Sequence, residues 1–206
     1  DAVMKYAQYA LKDKENGQFA MQLLTDAYKA KGDTAKWVEK LQEGIVKFPE
    51  NQYFFANLVD YYSSSNQNDK AMQFADDMLA KDPNNKLYLY VKAYLYHNMK
   101  DYEKAIEFYK KTLDIDPAYA EACSNLGLVY LLQAQEYADK APADINDPNY
   151  ATAQAEIKKF YEAAKPYYEK ARELKPDQKD LWLQGLYRVY YNLNMGPEFE
   201  EIEKMM

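Results

Sequence analysis

Residues 84–117 read NNKLYLYVKAYLYHNMKDYEKAIEFYKKTLDIDP, and this stretch decides the fold. Two amphipathic helical patterns flank a turn signal at Met99-Lys100-Asp101, and the segment closes on Asp116-Pro117. Proline lacks an amide donor and disfavours helix in the residue before it, so the second helix must end there. Working outward, Pro49, Pro83 and Pro117 stand 34 residues apart. Tyr28, Tyr62, Tyr96 and Tyr130 keep the same interval without exception, and Leu24, Leu58 and Leu126 keep it with Lys92 as the exception. Trp37, Ala71 and Ala105 precede the three prolines at one fixed distance, and Val3 continues that series backwards. Further turn signals fall at Lys31-Gly32-Asp33 and Ser65-Asn66-Gln67-Asn68. A period of this length marks helix pairs that bury their apolar faces only by stacking on their neighbours.

Composition agrees. Six glycines and eight prolines among 206 residues, with abundant Ala, Leu, Lys, Glu, Tyr and Gln, suit helices rather than a turn-rich sheet. The formal charge of −7, without a Lys/Arg cluster, argues against nucleic acid as partner, because phosphate neutralisation supplies most of that affinity. One cysteine excludes an internal disulfide framework and a Cys-based zinc site. No apolar run is long enough to span a membrane. The chain opens on Asp1-Ala2-Val3 inside a helical pattern, which reads as a processed or truncated start, so a targeting segment is expected to have been removed.

These spacings resemble the tetratricopeptide repeat family, whose pattern is W-x2-L-G-x2-Y in the first helix, A-x3-F-x2-A in the second, and a closing Pro. Cys123, Leu126, Gly127 and Tyr130 carry the first half. Ala105, Tyr109, Thr112 and Pro117, and again Ala164, Tyr168, Ala171 and Pro176, carry the second. The resemblance covers almost the whole chain. It implies an all-α fold, a right-handed α-solenoid of stacked antiparallel helix pairs. Small residues at the Gly/Ala positions let helix backbones approach closely, and large ones fill the gaps between pairs.

On this reading residues 1–206 form a single solenoid domain. Residues 1–15 hold the second helix of a truncated repeat, spanning 2–13. Regular repeats occupy 18–49, 52–83 and 86–117, a repeat with a hairpin insertion at about 133–160 occupies 119–176, and a last, degenerate repeat occupies 179–206. The insertion follows from spacing: Ala105 to Ala164 is 25 residues longer than the period. The helix from Tyr119 is expected to run on to Pro142, with PADINDPN as the loop and a second helix from Tyr150 that Pro166 should bend. Leu132, Ala134, Tyr137 and Ala138 are set against Ala151, Ala155, Ile157 and Phe160 across this elongated hairpin. The register between Trp182 and Tyr190 stays open, and the final helix, Pro197 to Met206, is short and acidic.

In the family, first helices line a concave groove, and the positions that face a ligand carry over to Gln22 and Asp26, Tyr53 and Asp60, Tyr90, Tyr94 and His97, Ser124 and Leu128, and Tyr187 and Tyr191. The same mapping adds Phe19, Lys29, Ala56, Ser63, Leu87, Asn98, Glu121, Leu131, Leu183 and Tyr190. The groove is thus rich in tyrosine, which offers a flat apolar face and one hydroxyl, with carboxylates towards its N-terminal end. The tyrosines at the Tyr28 position are expected to pack between helices instead. A two-carboxylate clamp needs a basic residue and an asparagine where this chain has Gln22 with Asp26, Ala56 with Asp60, and Tyr90 with Tyr94, so that clamp is absent. Asp26 and Asp60 favour a basic or neutral segment.

Nothing points to catalysis, cofactor or metal. His97 is the only histidine, Cys123 falls on a core position, and Asp139, Asp144 and Asp147 lack the spacing of a calcium loop. The expected function is therefore a non-catalytic scaffold that binds a peptide or protein segment in the tyrosine-rich groove, with the hairpin as a second surface. Two rivals are carbohydrate capture by stacking on Tyr90, Tyr94 and Tyr187, and self-assembly into a homo-oligomer through uncapped ends. Carbohydrate is disfavoured because the two tryptophans, Trp37 and Trp182, fall on packing positions. The style of residues 166–194 is similar to exported bacterial repeat proteins and implies a periplasmic or envelope location.

Overall fold

A computed structural model describes residues 16–49 and 51–206. The helix expected over 2–13, and with it one of the two proposed self-assembly ends, lies outside the described residues. Among the described residues the regular elements are helical and antiparallel pairs dominate. In order they are α1 (Gly17–Ala30), α2 (Thr34–Lys47), α3 (Gln52–Ser64), α4 (Asn68–Lys81), α5 (Lys86–Asn98), α6 (Tyr102–Ile115), α7 (Ala120–Ala138), α8 (Tyr150–Leu174), a 3-10 turn (Lys179–Leu181), α9 (Leu183–Asn192) and α10 (Gly196–Glu203). The fold is an all-α helical repeat. The chain divides into two compact units, with the boundary after Phe74.

In the N-terminal unit, α2 packs on both α1 and α3. Met21, Leu24, Leu41, Ile45, Phe54, Phe55 and Leu58 are the fully buried large side chains. Thr25 is buried too, and its hydroxyl donates to the Met21 carbonyl at 2.7 Å, which satisfies it within the helix. Gly44 admits the ring of Phe54: a Cβ at this position would lie 2.3 Å from the ring.

The C-terminal unit packs each helix from α5 to α10 on the next. One core cluster centres on Ala93, Ala105, Tyr109 and Leu126, the other on Leu131, Tyr168, Trp182, Leu186 and Ile202. Lys92, which interrupts the leucine series, lays its stem on aromatic surface: its ammonium lies 4.7 Å from the Phe108 ring centre and pairs with Asp76. A long aliphatic stem fills the apolar site while the charge reaches a partner at the edge.

The helix turns explain the period. Gly32, Asn66 and Lys100 all have positive φ, at 73°, 56° and 60°, and they are 34 residues apart. Each is the left-handed residue that ends a first helix, and the amide after it returns to the tyrosine series: Asp33 to Tyr28, Gln67 to Tyr62, Asp101 to Tyr96. Asp33, Asn51, Asn85 and Asp101 then cap the next helix with their side chains. Lysine at a left-handed position is strained where glycine is not. Lys100→Gly is therefore expected to raise stability by ~0.5–1 kcal/mol, the relief exceeding the extra chain entropy of glycine in the unfolded state; urea unfolding of the variant checks this.

The same device sets the last repeat. Asn194 has φ of 55°, and the Met195 amide bonds the Tyr190 carbonyl at 3.0 Å. Tyr190 thus stands where Tyr28, Tyr62 and Tyr96 stand, and Leu186 continues the leucine series. Leu183 and Tyr190 are consequently core residues, 8% and 3% exposed, rather than ligand-facing ones. Leu87 and Leu131 are also buried, at 6% and 1%, because neighbouring helices cover those positions.

The elongated hairpin is α7 and α8. Its first helix ends at Ala138, short of the expected Pro142, and Pro166 lies inside a helix that continues through it. Across the hairpin Ala134 is buried and Tyr137 meets Phe160 at 6.1 Å. Ala138, Ala151 and Ala155 face solvent and Ala153 is buried instead. The stripe of α8 is set by its regular half: Tyr161, Ala164, Tyr168 and Ala171 are buried, and counting back by fours and threes reaches Ile157 and Ala153. At the tip, Asp144 and Asp147 accept the amides of Asn146 and Asn149, the turn role expected of short acidic side chains.

Candidate functional site

First-helix residues of the N-terminal unit form a polar row between α1 and α3. Asn51 caps α3 and also accepts the Gln22 amide at 3.4 Å. The Tyr53 hydroxyl donates to Asp26. Burial first, and then the Asp26 carboxylate, push the Tyr53 phenol well above its ordinary range, so it stays a neutral donor. Asp60 is exposed one face along α3. Gln22, Asp26 and Tyr53 are thus brought together, with Asp60 separate. Asn51 completes the row; its signal in the sequence is only that of a helix cap.

In the C-terminal unit the predicted residues divide into those that face outward and those that pack. Tyr90 lies between the rings of Tyr109 and Tyr119, at 5.8 and 5.0 Å, and accepts the Asn125 amide at 2.8 Å. It holds α5, α6 and α7 together as much as it offers a surface. Ser124 donates to the Leu181 carbonyl at 2.5 Å and tethers α7 to the last repeat. Leu128 is half-buried against the C-terminal core. Tyr94 is half-buried and edge-on to His97 at 6.3 Å. Tyr191 is 64% exposed, and Tyr187 and Tyr191 both meet Phe199 of α10, at 4.9 and 5.7 Å. Asn125, Tyr109 and Phe199 were not legible as site neighbours: Tyr109 and Phe199 lie on second helices, and Asn125 falls between the ligand-facing positions of its first helix.

His97 sits between Tyr94 and Tyr102 with its Nδ1 buried and without a hydrogen-bond partner among the described residues. Burial holds its pKa below the ordinary 6.5. As pH falls, the unfolded chain takes the proton before the folded one. The neutral ring's contribution is therefore present above about pH 6.5 and lost as pH drops through the lower folded-state value. His97→Phe is expected to flatten the stability profile in the range just below pH 6.5, measured by urea midpoints across that range. Below it the carboxylates of Glu43, Asp101 and Asp116 take over, held low by hydrogen bonds from Lys40, Lys104 and Lys86 respectively.

Cys123 is buried, and burial pushes its thiol up to about 11, so it stays protonated and unreactive at neutral pH. Among the described residues no group of three or more His, Cys, Asp or Glu side chains is placed to hold a metal ion. No described helix is long and apolar enough to cross a membrane.

Comparison with known proteins agrees with this architecture. Residues 93–133 match a family model described as TPR repeat, and residues 74–107 one described as Tetratricopeptide repeat. Among curated protein sequences none matches the chain. Similar solved structures include MamA, at 16% identity and TM-score 0.59, with 92% of this chain and 90% of that one covered. PilW, described as a widely conserved type IV pilus biogenesis factor, gives 17% identity, TM-score 0.62, and coverage of 97% and 80%. Human IFIT1, solved as a dimer with m7Gppp-AAAA, gives 18% identity and TM-score 0.69; it covers 98% of this chain, which spans only 45% of IFIT1. At these identities the likeness is one of fold.

Proposed function

We propose, from the tetratricopeptide repeats that this chain carries, that it is a non-catalytic scaffold whose first-helix faces hold a segment of a partner protein. The observation that carries this reading is the combination of outward aromatic faces with preset polar groups. Tyr94 and Tyr191 present ring surface, and the Gln22–Asn51 and Asp26–Tyr53 pairs fix donors and acceptors on a helix face. A surface ordered before binding loses less freedom when a ligand arrives. Asp26 and Asp60 make the N-terminal face suit a basic or neutral segment rather than a free carboxylate terminus.

The α7–α8 hairpin serves as a second contact surface, with Ile145 74% exposed at its tip. Deleting residues 133–160 and closing the gap with a short linker is expected to weaken capture of the native partner about tenfold, as for loss of an interface hot spot. Circular dichroism should still show the helix content of the remaining pairs. Collapse of the fold on deletion would make the hairpin structural and remove it from the interface. The fold shared with PilW supports a bacterial envelope location as part of this proposal; recovery of the protein solely in the cytosolic fraction of its source cells would contradict it.

A further inference from the structure

The turn from α9 to α10 borders an open pocket of about 300 Å³ lined by Tyr190, Tyr191, Asn194, Met195, Gly196 and Phe199. Its walls are ring faces and a thioether, and Tyr191 stands 64% exposed at its mouth. Carboxylates outnumber cations along this stretch. Residues 187–204 hold Glu198, Glu200, Glu201 and Glu203 against Arg188 and Lys204. Glu201 is committed to Arg172, which in turn lies over the Trp182 ring at 5.3 Å. Glu169 accepts the Tyr190 hydroxyl at 3.0 Å and pairs with Lys165 at 3.2 Å. Glu198 adjoins Phe199 in the chain; burial first, then Glu169 and last Glu198 push the Tyr190 phenol up, with Arg172 opposing. Among the described residues no ion pair of Glu198 or Glu200 is formed.

An aromatic pocket beside carboxylates has one complementary ligand chemistry. Ring faces carry negative electrostatic potential, so a cation is attracted both to the rings and to the glutamates, while an anion is repelled by both. A planar guanidinium stacks on such rings and forms paired hydrogen bonds to carboxylate, which an ammonium does less well. We propose that this pocket receives an arginine side chain from a basic segment of the protein partner. The proposal rests on the interaction-scaffold reading but concerns the α9–α10 turn rather than the row at α1 and α3.

The test needs no native partner. The probe is the peptide acetyl-Gly-Ser-Arg-Ser-Gly-amide, titrated into protein carrying ring-labelled tyrosine and followed by NMR. The expected result is saturable movement of the Tyr187 and Tyr191 signals. The same peptide with citrulline, the neutral isostere, should bind about tenfold more weakly. Glu198→Gln should weaken the arginine peptide severalfold, and added salt should do the same. Tyr191→Ala, at an exposed position that leaves the core intact, should abolish the movement at Tyr187. Equal binding of the citrulline peptide, unchanged affinity in Glu198→Gln, or no movement of either signal would each overturn the proposal. Any of those results would leave capture of the native partner, and its dependence on the hairpin, as it was.

Discussion

Tyr168→Ala is expected to lower the stability of the C-terminal unit by about 3–5 kcal/mol, the range for removing a buried aromatic ring. Tyr168 is 4% exposed, and its ring fills the space left by two glycines on flanking helices. A Cβ at Gly127 would come within 2.7 Å of that ring, and one at Gly185 within 2.2 Å. One side chain of α8 therefore keys into α7 and α9 at once, and its loss leaves a void that rigid helices cannot close. The reciprocal change, Gly185→Ala, pushes a methyl group into the ring and is expected to cost about 1–3 kcal/mol. That cost should largely vanish in the Tyr168→Ala background, because the two changes share one contact. Urea unfolding of the four proteins checks the cycle; a loss below about 1 kcal/mol for Tyr168→Ala, or additive effects, would contradict it.

Gly44→Ala is the corresponding experiment in the N-terminal unit. The added methyl group would lie 2.3 Å from Phe54, which is fully buried against Phe48 and Tyr53. The ring cannot turn away without displacing those neighbours, so a loss of about 1–3 kcal/mol is expected. Trp37 is the one tryptophan before residue 75, and Trp182 is the other in the chain. In a Trp182→Phe background the emission of Trp37 thus reports this unit directly. An unfolding midpoint equal to that of the parent would show that α2 and α3 are not so closely set.

The helix pairs were legible in the sequence because the signals that fix them are local and repeat with the chain. The three regular pairs each end on a proline, turn on a left-handed residue, and return an amide to the same tyrosine position. Where a side chain took over the role of another, the reading failed. Trp182 imitates the family's aromatic position, and only the backbone turn at Asn194 shows that Leu186 and Tyr190 hold the leucine and tyrosine positions, one residue later than the period places them. The hairpin was legible from its extra length, but its inner face was not, since Ala151, Ala153 and Ala155 are chemically alike. Only the stripe continued from Tyr161 and Ala164 selects Ala153. The site residues were the least legible. A position on a first helix says which way a side chain starts, and Tyr90 and Ser124 are then engaged by Asn125, Tyr109, Tyr119 and the Leu181 carbonyl, which lie far off in sequence. Tyr187 likewise turns to Phe199. Lys92 shows the same limit in the core, where a charged residue serves as apolar filling because Asp76 receives its ammonium.

Whether first-helix faces hold a partner protein, as proposed above, is read out by photocrosslinking. A benzophenone side chain would be placed in turn at Gln22, Tyr94, Ile145 and, as controls on second helices, Glu39 and Glu107, and the protein irradiated in its native cells. All but Gln22 and Tyr94 are substantially exposed, and those two are half-buried on first helices, so the fold tolerates each probe. Adducts to one partner are expected from Gln22, Tyr94 and Ile145 and none from Glu39 or Glu107. Adducts to that partner confined to Glu39 and Glu107 would contradict the proposal.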